Sequence, residues 1–167
     1  MYKRQVIGTF AKSGENVKDG MDIALCVIDK KNKKLIYSGA NNPLWICKPS
    51  ANLVDSKLVS MQNEKHYLLE IKGDKQPVGL YEKEAPFQQT SIEYGEQDSF
   101  YIFTDGFADQ FGGEKGKKMK YKPFKRLLVE VNSYAMESQK EMLETSFNAW
   151  KGDFEQVDDV CIIGVKV

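Results

Sequence analysis

Three continuous runs of apolar residues constrain the fold of this chain more than any other feature. They occupy residues 23–28, 99–104 and 160–167, and all are rich in β-branched or aromatic side chains. None alternates between polar and apolar residues, as a strand with one face in water does. Each run is therefore predicted to be a buried strand that is covered on both faces.

The spacing of apolar residues after residue 122 predicts two helices that could cover such a sheet. Apolar residues recur at helical spacing in two stretches, the first comprising Phe124, Leu127, Leu128 and Val131 and the second Met136, Leu143, Phe147 and Trp150. Pro123 suits the first turn of the first helix, and Gly152 suits the end of the second. With shorter strands expected at 35–37, 44–47, 67–71 and 87–94, the pattern predicts an α+β fold of antiparallel strands covered by helices.

The composition excludes several broad classes of protein. The 24 Lys and Arg residues balance the 24 Asp and Glu residues, so no general attraction to nucleic acid or to an anionic membrane is expected. No apolar run approaches the roughly 20 residues that cross a bilayer, and membrane insertion is not expected. Cys26, Cys47 and Cys161 are odd in number and form no C-x-x-C motif, which predicts buried free thiols in a cytoplasmic protein.

No repeat, low-complexity tract or Pro/Ser-rich linker divides the chain, so residues 1–167 are predicted to be a single domain. Its expected parts are a helix at 1–13, a β-rich part at 19–104, a loop or flap at 105–122, helices at 123–151 and a final strand at 158–167. In the flap, Gly112, Gly113 and Gly116 are interpreted as sources of flexibility, because they match no phosphate-binding motif.

Carboxylates stand at the ends of two of the apolar runs. Asp105 directly follows the run 99–104, and Asp158 and Asp159 directly precede the run 160–167. If these strands are antiparallel neighbours, the carboxylates converge at one edge of the sheet, where a bound Mg²⁺ or Mn²⁺ would relieve their repulsion. His66 is the only histidine, which argues against zinc. Spacing alone leaves open the alternative that these are solvated turn residues.

The amino-acid sequences of these two motifs resemble those of a known family. The segments 102–109 (IFTDGFAD) and 157–165 (VDDVCIIGV) resemble two metal-binding motifs of the PPM-type, or protein phosphatase 2C, serine/threonine phosphatases. The bacterial SpoIIE/RsbU branch is the more similar one. Further matches follow in the same order as in the family, namely DGMDIA at 19–24, YSGANNP at 37–43 and QPVGL at 76–80.

The resemblance implies a fold and a chemistry. The fold would be an antiparallel β-sheet sandwich flanked by helices, and Asp105 and Asp158 would bind Mn²⁺ or Mg²⁺, with two cations in a complete site. Asp159 would hold water beside the metals, Gly106 would allow a sharp exit after Asp105, and Asp74 would be an additional carboxylate near a further metal. The reaction implied is hydrolysis of phosphoserine or phosphothreonine by a metal-activated water, with no covalent enzyme intermediate.

One departure from the family pattern affects this expectation. The family's G-D-x-x-G-H-G motif, whose Asp bridges both metals, does not occur in these 167 residues. The resemblance therefore implies an N-terminally incomplete phosphatase domain with an incomplete site, very weak activity alone and possible self-association through exposed sheet edges. The alternative is a non-catalytic binding or regulatory module that retains the fold.

A basic stretch follows the Asp105 motif. Its members are Lys115, Lys117, Lys118, Lys120, Lys122, Lys125 and Arg126. It is either a solvated loop or a flap in which Lys117 and Lys118 attract a phosphorylated protein substrate, whereas nucleic-acid binding is not expected. The resemblance further implies a phosphorylated anti-sigma antagonist as substrate, and a sensor or receiver domain upstream.

Overall fold

The computed structural model describes residues 20–52, 57–79 and 85–167. The helix predicted at 1–13 lies outside these residues. The described residues within Met1–Leu44 and Lys72–Tyr94 form one compact unit, and those within Trp45–Ile71 and Gly95–Val167 form another. Among the described residues, no helix has the length and apolar character of a membrane span.

Twelve strands and three α-helices are defined in the described residues. The strands are β1 (Gly20–Met21), β2 (Ile23–Asp29), β3 (Lys34–Ala40), β4 (Leu44–Pro49), β5 (Val59–Gln62), β6 (His66–Ile71), β7 (Val78–Gly79), β8 (Thr90–Glu93), β9 (Ser99–Phe103), β10 (Phe111–Gly112), β11 (Lys117–Lys118) and β12 (Ile162–Lys166). The helices are α1 (Gly106–Asp109), α2 (Tyr121–Val131) and α3 (Met136–Lys151), and a 3₁₀ turn spans Ser50–Asn52.

The first unit contains a three-stranded antiparallel sheet in the order β2-β3-β8, and a separate pair of β1 and β7. Strands β2 and β3 form an antiparallel hairpin, with Asp29 opposite Lys34 at its turn. The prediction that β2 is covered on both faces is wrong, because Leu25 and Val27 are 60% and 51% exposed. Within the described residues β2 pairs only with β3, so its apolar side chains lie on an edge strand.

The second unit contains a five-stranded antiparallel sheet in the order β12-β9-β4-β6-β5. The predicted burial of β9 is confirmed, since this strand lies between β12 and β4. Helices α2 and α3 contribute the other half of a shared core, as their spacing predicted. The core residues include Trp45, Tyr101, Phe103, Phe124, Leu128, Leu143 and Phe147.

Several local expectations for both units need correction. The last strand is not buried, because Ile163 is 53% exposed on the edge strand β12, and Cys161 beside it is also exposed. Cys47 is the fully buried thiol, and burial raises its pKa. Strand β5 was not among the predicted strands, and the strand predicted at 87–94 is limited to Thr90–Glu93.

The segment predicted as a flexible flap is ordered by contacts with α3. Residues 111–118, here named the basic hairpin, form the antiparallel pair β10 and β11. A Cβ atom on Gly112 would lie 1.8 Å from the carbonyl oxygen of Trp150, and the Gly113 N–H donates to that same oxygen at 2.8 Å. Gly112 is therefore required by a close approach of two backbone segments, and the interpretation of these glycines as sources of flexibility is wrong.

Candidate active site

The pairing of β9 with β12 brings the two carboxylate motifs to one edge of the sheet. The strands are antiparallel, with Phe103 opposite Ile162, which confirms the predicted adjacency. The Thr104 N–H continues the ladder by donating to the Cys161 carbonyl at 3.0 Å. Both chain segments then leave the sheet at the same place.

Thr104 and Gly106 hold these two segments together beyond the sheet. The Thr104 hydroxyl donates to the Asp159 carbonyl at 2.7 Å and accepts from the Cys161 N–H at 2.9 Å. A Cβ atom on Gly106 would lie 2.5 Å from the Asp159 carbonyl oxygen. Any side chain at residue 106 would push the segments apart, so the glycine is explained by this contact rather than by a left-handed backbone conformation.

Asp105 carries the clearest electrostatic signature in this region. It occupies the N-cap position of α1, but its side chain makes no capping hydrogen bond and remains available. Partial burial raises the pKa of its carboxyl group, and the negative charges of Asp158 and Asp109 raise it further. A hydrogen bond between the carboxyl groups of Asp105 and Asp158 acts in the same direction. The two groups are therefore close enough for the charge of Asp158 to oppose the ionisation of Asp105.

The loop before β12 orients Asp158. Its Oδ1 accepts the N–H of Asp159 at 2.7 Å, and its backbone carbonyl accepts the side-chain amide of Gln156 at 2.8 Å. Asp159 is exposed, and its carbonyl rather than its carboxylate contacts Thr104. Within the described part of the chain, the Asp159 carboxylate has no hydrogen-bond partner.

Two further residues border the site and were not singled out from the sequence. Asp109 lies one helical turn after Asp105 in α1, and its N–H donates to the Asp105 carbonyl at 2.9 Å. Tyr121 is the first residue of α2. Burial raises the pKa of its hydroxyl most, and the negative charges of Asp105 and Asp109 raise it further. The four-residue spacing from Asp105 could have revealed Asp109, whereas no local signal indicates Tyr121.

The remaining predicted site residues have different surroundings. Asp74 belongs to the first compact unit, where its Oδ2 accepts the Gln88 N–H at 2.7 Å. Lys118 forms an ion pair with Asp109 at 2.8 Å. Lys117 is exposed and has no ion-pair partner among the described residues. Of the two lysines, Lys117 is thus the one with a free charge.

The chemistry of the carboxylate pair fits a hard divalent cation. Asp105 and Asp158 offer only oxygen donors, and a cation between them would relieve the repulsion that raises the pKa of Asp105. In residues 20–52, 57–79 and 85–167, no group of three or more His, Cys, Asp or Glu side chains has the arrangement of a metal site.

Comparison with known proteins places the chain in a family. The family model for stage II sporulation protein E, SpoIIE, matches residues 12–167. The chain belongs to the SpoIIE family. This confirms the resemblance to PPM-type phosphatases, and the antiparallel sheets and helices confirm the predicted α+β class.

Solved structures support the same fold. The SiaA-PP2C domain of Pseudomonas aeruginosa is 22% identical, with a TM-score of 0.69 over 87% of this chain and 51% of that one. The PP2C phosphatase domain of SpoIIE from Bacillus subtilis, solved with a fragment of its regulatory domain, is 12% identical, with a TM-score of 0.60 over 99% of this chain and 48% of that one. RsbX in complex with magnesium is 15% identical, with a TM-score of 0.51 over 98% of this chain and 69% of that one.

These comparisons define the extent of the likeness. The SpoIIE-family chain spans about half the length of the SiaA and SpoIIE structures. At these levels of sequence identity, the similarity to the solved structures shows that this chain shares their fold and nothing more specific. No curated protein sequence matches the chain.

Proposed function

We propose that this chain forms part of a metal-dependent PPM-type phosphatase that hydrolyses phosphoserine or phosphothreonine in proteins. The observation that carries the proposal is the antiparallel pairing of β9 with β12, which brings Asp105 and Asp158 to the same edge of the sheet. Membership of the SpoIIE family supports the reaction class.

Asp105 and Asp158 would hold the cation, and Mn²⁺ and Mg²⁺ are the favoured ions. One solved SpoIIE phosphatase domain was presoaked with Mn, and the RsbX structure contains magnesium. When bound, such cations lower the pKa of a coordinated water and neutralise charge on the phosphoryl oxygens.

The chain's own residues position and border this site. Thr104 and Gly106 fix the separation of the two carboxylate segments through the Asp159 carbonyl. We propose that the exposed carboxylate of Asp159 holds water by hydrogen bonding. Asp74 is a candidate for a further ligand, on a loop fixed by its contact with Gln88.

A phosphorylated signalling protein is the proposed substrate. Lys117 and Lys118 lie on β11, and Lys118 reaches Asp109 next to the carboxylate pair, which supports a role for β11 in attracting an anionic substrate. The SpoIIE resemblance favours an anti-sigma antagonist as substrate, a sensor or receiver domain as regulator and a cytoplasmic location.

One sequence observation favours a second candidate function. The family's G-D-x-x-G-H-G motif is absent from these 167 residues. A non-catalytic module that retains the fold and binds a partner would not need the ligands of that motif.

The deciding experiment measures Mn²⁺ binding and hydrolysis of p-nitrophenyl phosphate by the same purified chain. Asp105→Asn and Asp158→Asn each remove one charged ligand, and Asp153→Asn removes an exposed carboxylate outside the site as a matched control. We expect both site variants to weaken Mn²⁺ binding, followed by electron paramagnetic resonance, by about 100-fold or more. Hydrolysis should fall in parallel, while Asp153→Asn should behave as the parent chain.

Each alternative has a distinct result. Mn²⁺ binding that requires both carboxylates but occurs without hydrolysis would indicate an incomplete site, and adding the missing motif in a longer chain should then restore activity. Failure to bind Mn²⁺ in any version would reject the metal site and favour the non-catalytic module.

A further inference from the structure

The first strand of the basic hairpin, β10, is held by contacts with Trp150 near the end of α3 and with Glu155 after it. The indole Nε1 of Trp150 donates to the Gln110 carbonyl at 3.0 Å, and the Trp150 carbonyl accepts the Gly113 N–H at 2.8 Å. Gln110 is fully buried, and its side-chain amide donates to the Glu155 carbonyl at 2.8 Å. These contacts fix the path of the chain directly before and directly after β10.

The tip of the hairpin rests on two aromatic rings. Gly113 and Gly116 both have positive φ angles, +65° and +54°. An added Cβ would lie 3.0 Å from the ring of Trp150 at Gly113 and 3.1 Å from the ring of Phe154 at Gly116. The tip is thus packed against side chains of the same compact unit, and the hairpin presents a preformed surface.

That surface is basic and largely free of internal ion pairs. Lys115 and Lys117 are exposed, and within the described part of the chain neither has an ion-pair partner. Lys118 is already paired with Asp109. Glu114 is the hairpin's only acidic residue, so the surface carries an uncompensated positive charge.

Backbone contacts place this charge beside the candidate active site. The Met119 N–H donates to the Gln110 carbonyl at 3.0 Å, and the Lys120 N–H donates to the Ala108 carbonyl at 2.7 Å. The chain that leaves β11 is therefore fixed to α1, the helix that begins directly after Asp105. The basic hairpin and Asp105 are thus connected through the same short helix.

We propose that the basic hairpin is a docking surface for an acidic segment that flanks the phosphorylated residue of a protein substrate. The proposal rests on the proposed function, because it assigns a substrate class to that same site. Charge complementarity selects the occupant, since Lys115 and Lys117 offer free cations next to a site for phosphate. Because the hairpin is already ordered, little conformational entropy is lost on docking.

A nucleic acid fits this surface less well. Single strands bind by stacking bases on open aromatic rings, but the ring of Phe111 on the hairpin is approached by the ammonium group of Lys118 at 5.8 Å. The chain as a whole also has a formal net charge of zero. An acidic peptide needs only the exposed ammonium groups.

The test compares two double charge reversals in the intact chain. Lys115→Glu with Lys117→Glu changes the hairpin, and Lys30→Glu with Lys31→Glu makes the same change at the exposed turn between β2 and β3. The probes are two fluorescein-labelled phosphoserine peptides, one with four glutamates after the phosphoserine and one with four glutamines. Fluorescence anisotropy without Mn²⁺ reports binding, so the measurement does not depend on hydrolysis.

We expect the parent chain to bind the glutamate peptide at least tenfold more tightly than the glutamine peptide at low ionic strength. The hairpin variant should lose this preference, and the turn variant should keep it within twofold. Equal binding of both peptides by the parent chain, or equal losses in both variants, would overturn the proposal. Tighter binding of a single-stranded DNA of equal charge would assign the surface to nucleic acid instead.

Hydrolysis of p-nitrophenyl phosphate separates this inference from the proposed function. If the parent chain hydrolyses p-nitrophenyl phosphate but shows no preference between the two peptides, the docking surface fails and the phosphatase stands. If the preference is present and Mn²⁺ neither binds nor supports hydrolysis, the hairpin binds acidic segments and the phosphatase proposal fails.

Discussion

Two lysine-rich turns in this chain have similar compositions but are held in different ways. The turn between β2 and β3 is stabilised from within, because Asp29 accepts the Asn32 N–H at 3.0 Å and the Asn32 side-chain amide at 2.6 Å. The basic hairpin is stabilised from outside, by Trp150 and Phe154 near the end of α3.

The difference shows what a lysine-rich segment can do. The first turn is stabilised by hydrogen bonds between its own residues, so only local contacts determine where its lysines lie. The second is fixed by a helix of the same compact unit, so its lysines keep a defined position beside Asp105. The number of charged residues does not distinguish the two turns. The contacts that stabilise them do, because those contacts are local in the first turn and come from a helix in the second.

The largest expected effect comes from filling the space between Gly112 and Trp150. Gly112→Ala places a Cβ 1.8 Å from a backbone oxygen, so one of the two segments must move. We expect this change to lower the free energy of unfolding by about 2 to 3 kcal/mol, measured by urea denaturation. Gly95→Ala is the control, because its Cβ would enter open space, and it should change stability by less than about 0.5 kcal/mol.

A comparable loss in both glycine variants would show that the contact with α3 does not order the hairpin. In that case the contrast between the two turns would disappear. The basic hairpin would then behave as the flexible flap that its sequence suggests.

A smaller effect is expected from removing the internal support of the first turn. Asn32→Ala deletes the exposed side-chain hydrogen bond to Asp29 but keeps the one from the backbone N–H, and should cost about 0.5 kcal/mol in the same urea assay. Hydrogen exchange should accelerate at the turn amides only. An increase in exchange at Gly113 would contradict the independence of the two turns.

The smallest effect is a dependence on pH that only the first turn should show. Hydrogen bonds from Asn32 lower the pKa of Asp29 below its ordinary value of 3.8. The stabilising contribution of the ionised Asp29 is therefore complete above that value and is lost as the pH falls through the lowered pKa. Between pH 5 and pH 3, the protection factor of the Asn32 amide in NMR-detected hydrogen exchange should begin to fall, while that of the Gly113 amide stays constant.

Sequence patterns predicted elements with local signals better than positions set by distant contacts. The apolar spacing of Leu143 and Phe147 predicted a helix and its buried face, and both are buried. The run that contains Leu25 predicted a strand, but the exposure of Leu25 follows from the edge position of β2. A continuous apolar run reports strand propensity, whereas the order of strands in a sheet depends on pairing that is remote in sequence.

The candidate site shows the same limit. The adjacency of the Asp105 and Asp158 motifs followed from an antiparallel arrangement that the family resemblance made specific, and β9 and β12 do pair in this way. The ion pair of Lys118 with Asp109 was not predictable from the sequence. The position of Lys118 depends on the turn of the basic hairpin, and that turn depends on the contact of Gly113 with Trp150. The metal-binding roles of Asp105 and Asp158 remain predictions.

The hydrogen bond from Thr104 to Asp159 also has a kinetic consequence. It joins residues that are 55 positions apart, and α2 and α3 lie between them. Closing a loop of this size costs on the order of 3 to 4 kcal/mol of chain entropy. Contacts of such long range generally form slowly, after local helices have appeared. The two carboxylates should therefore meet late in folding, and a cation that binds both would slow their separation during unfolding more than it would speed their approach.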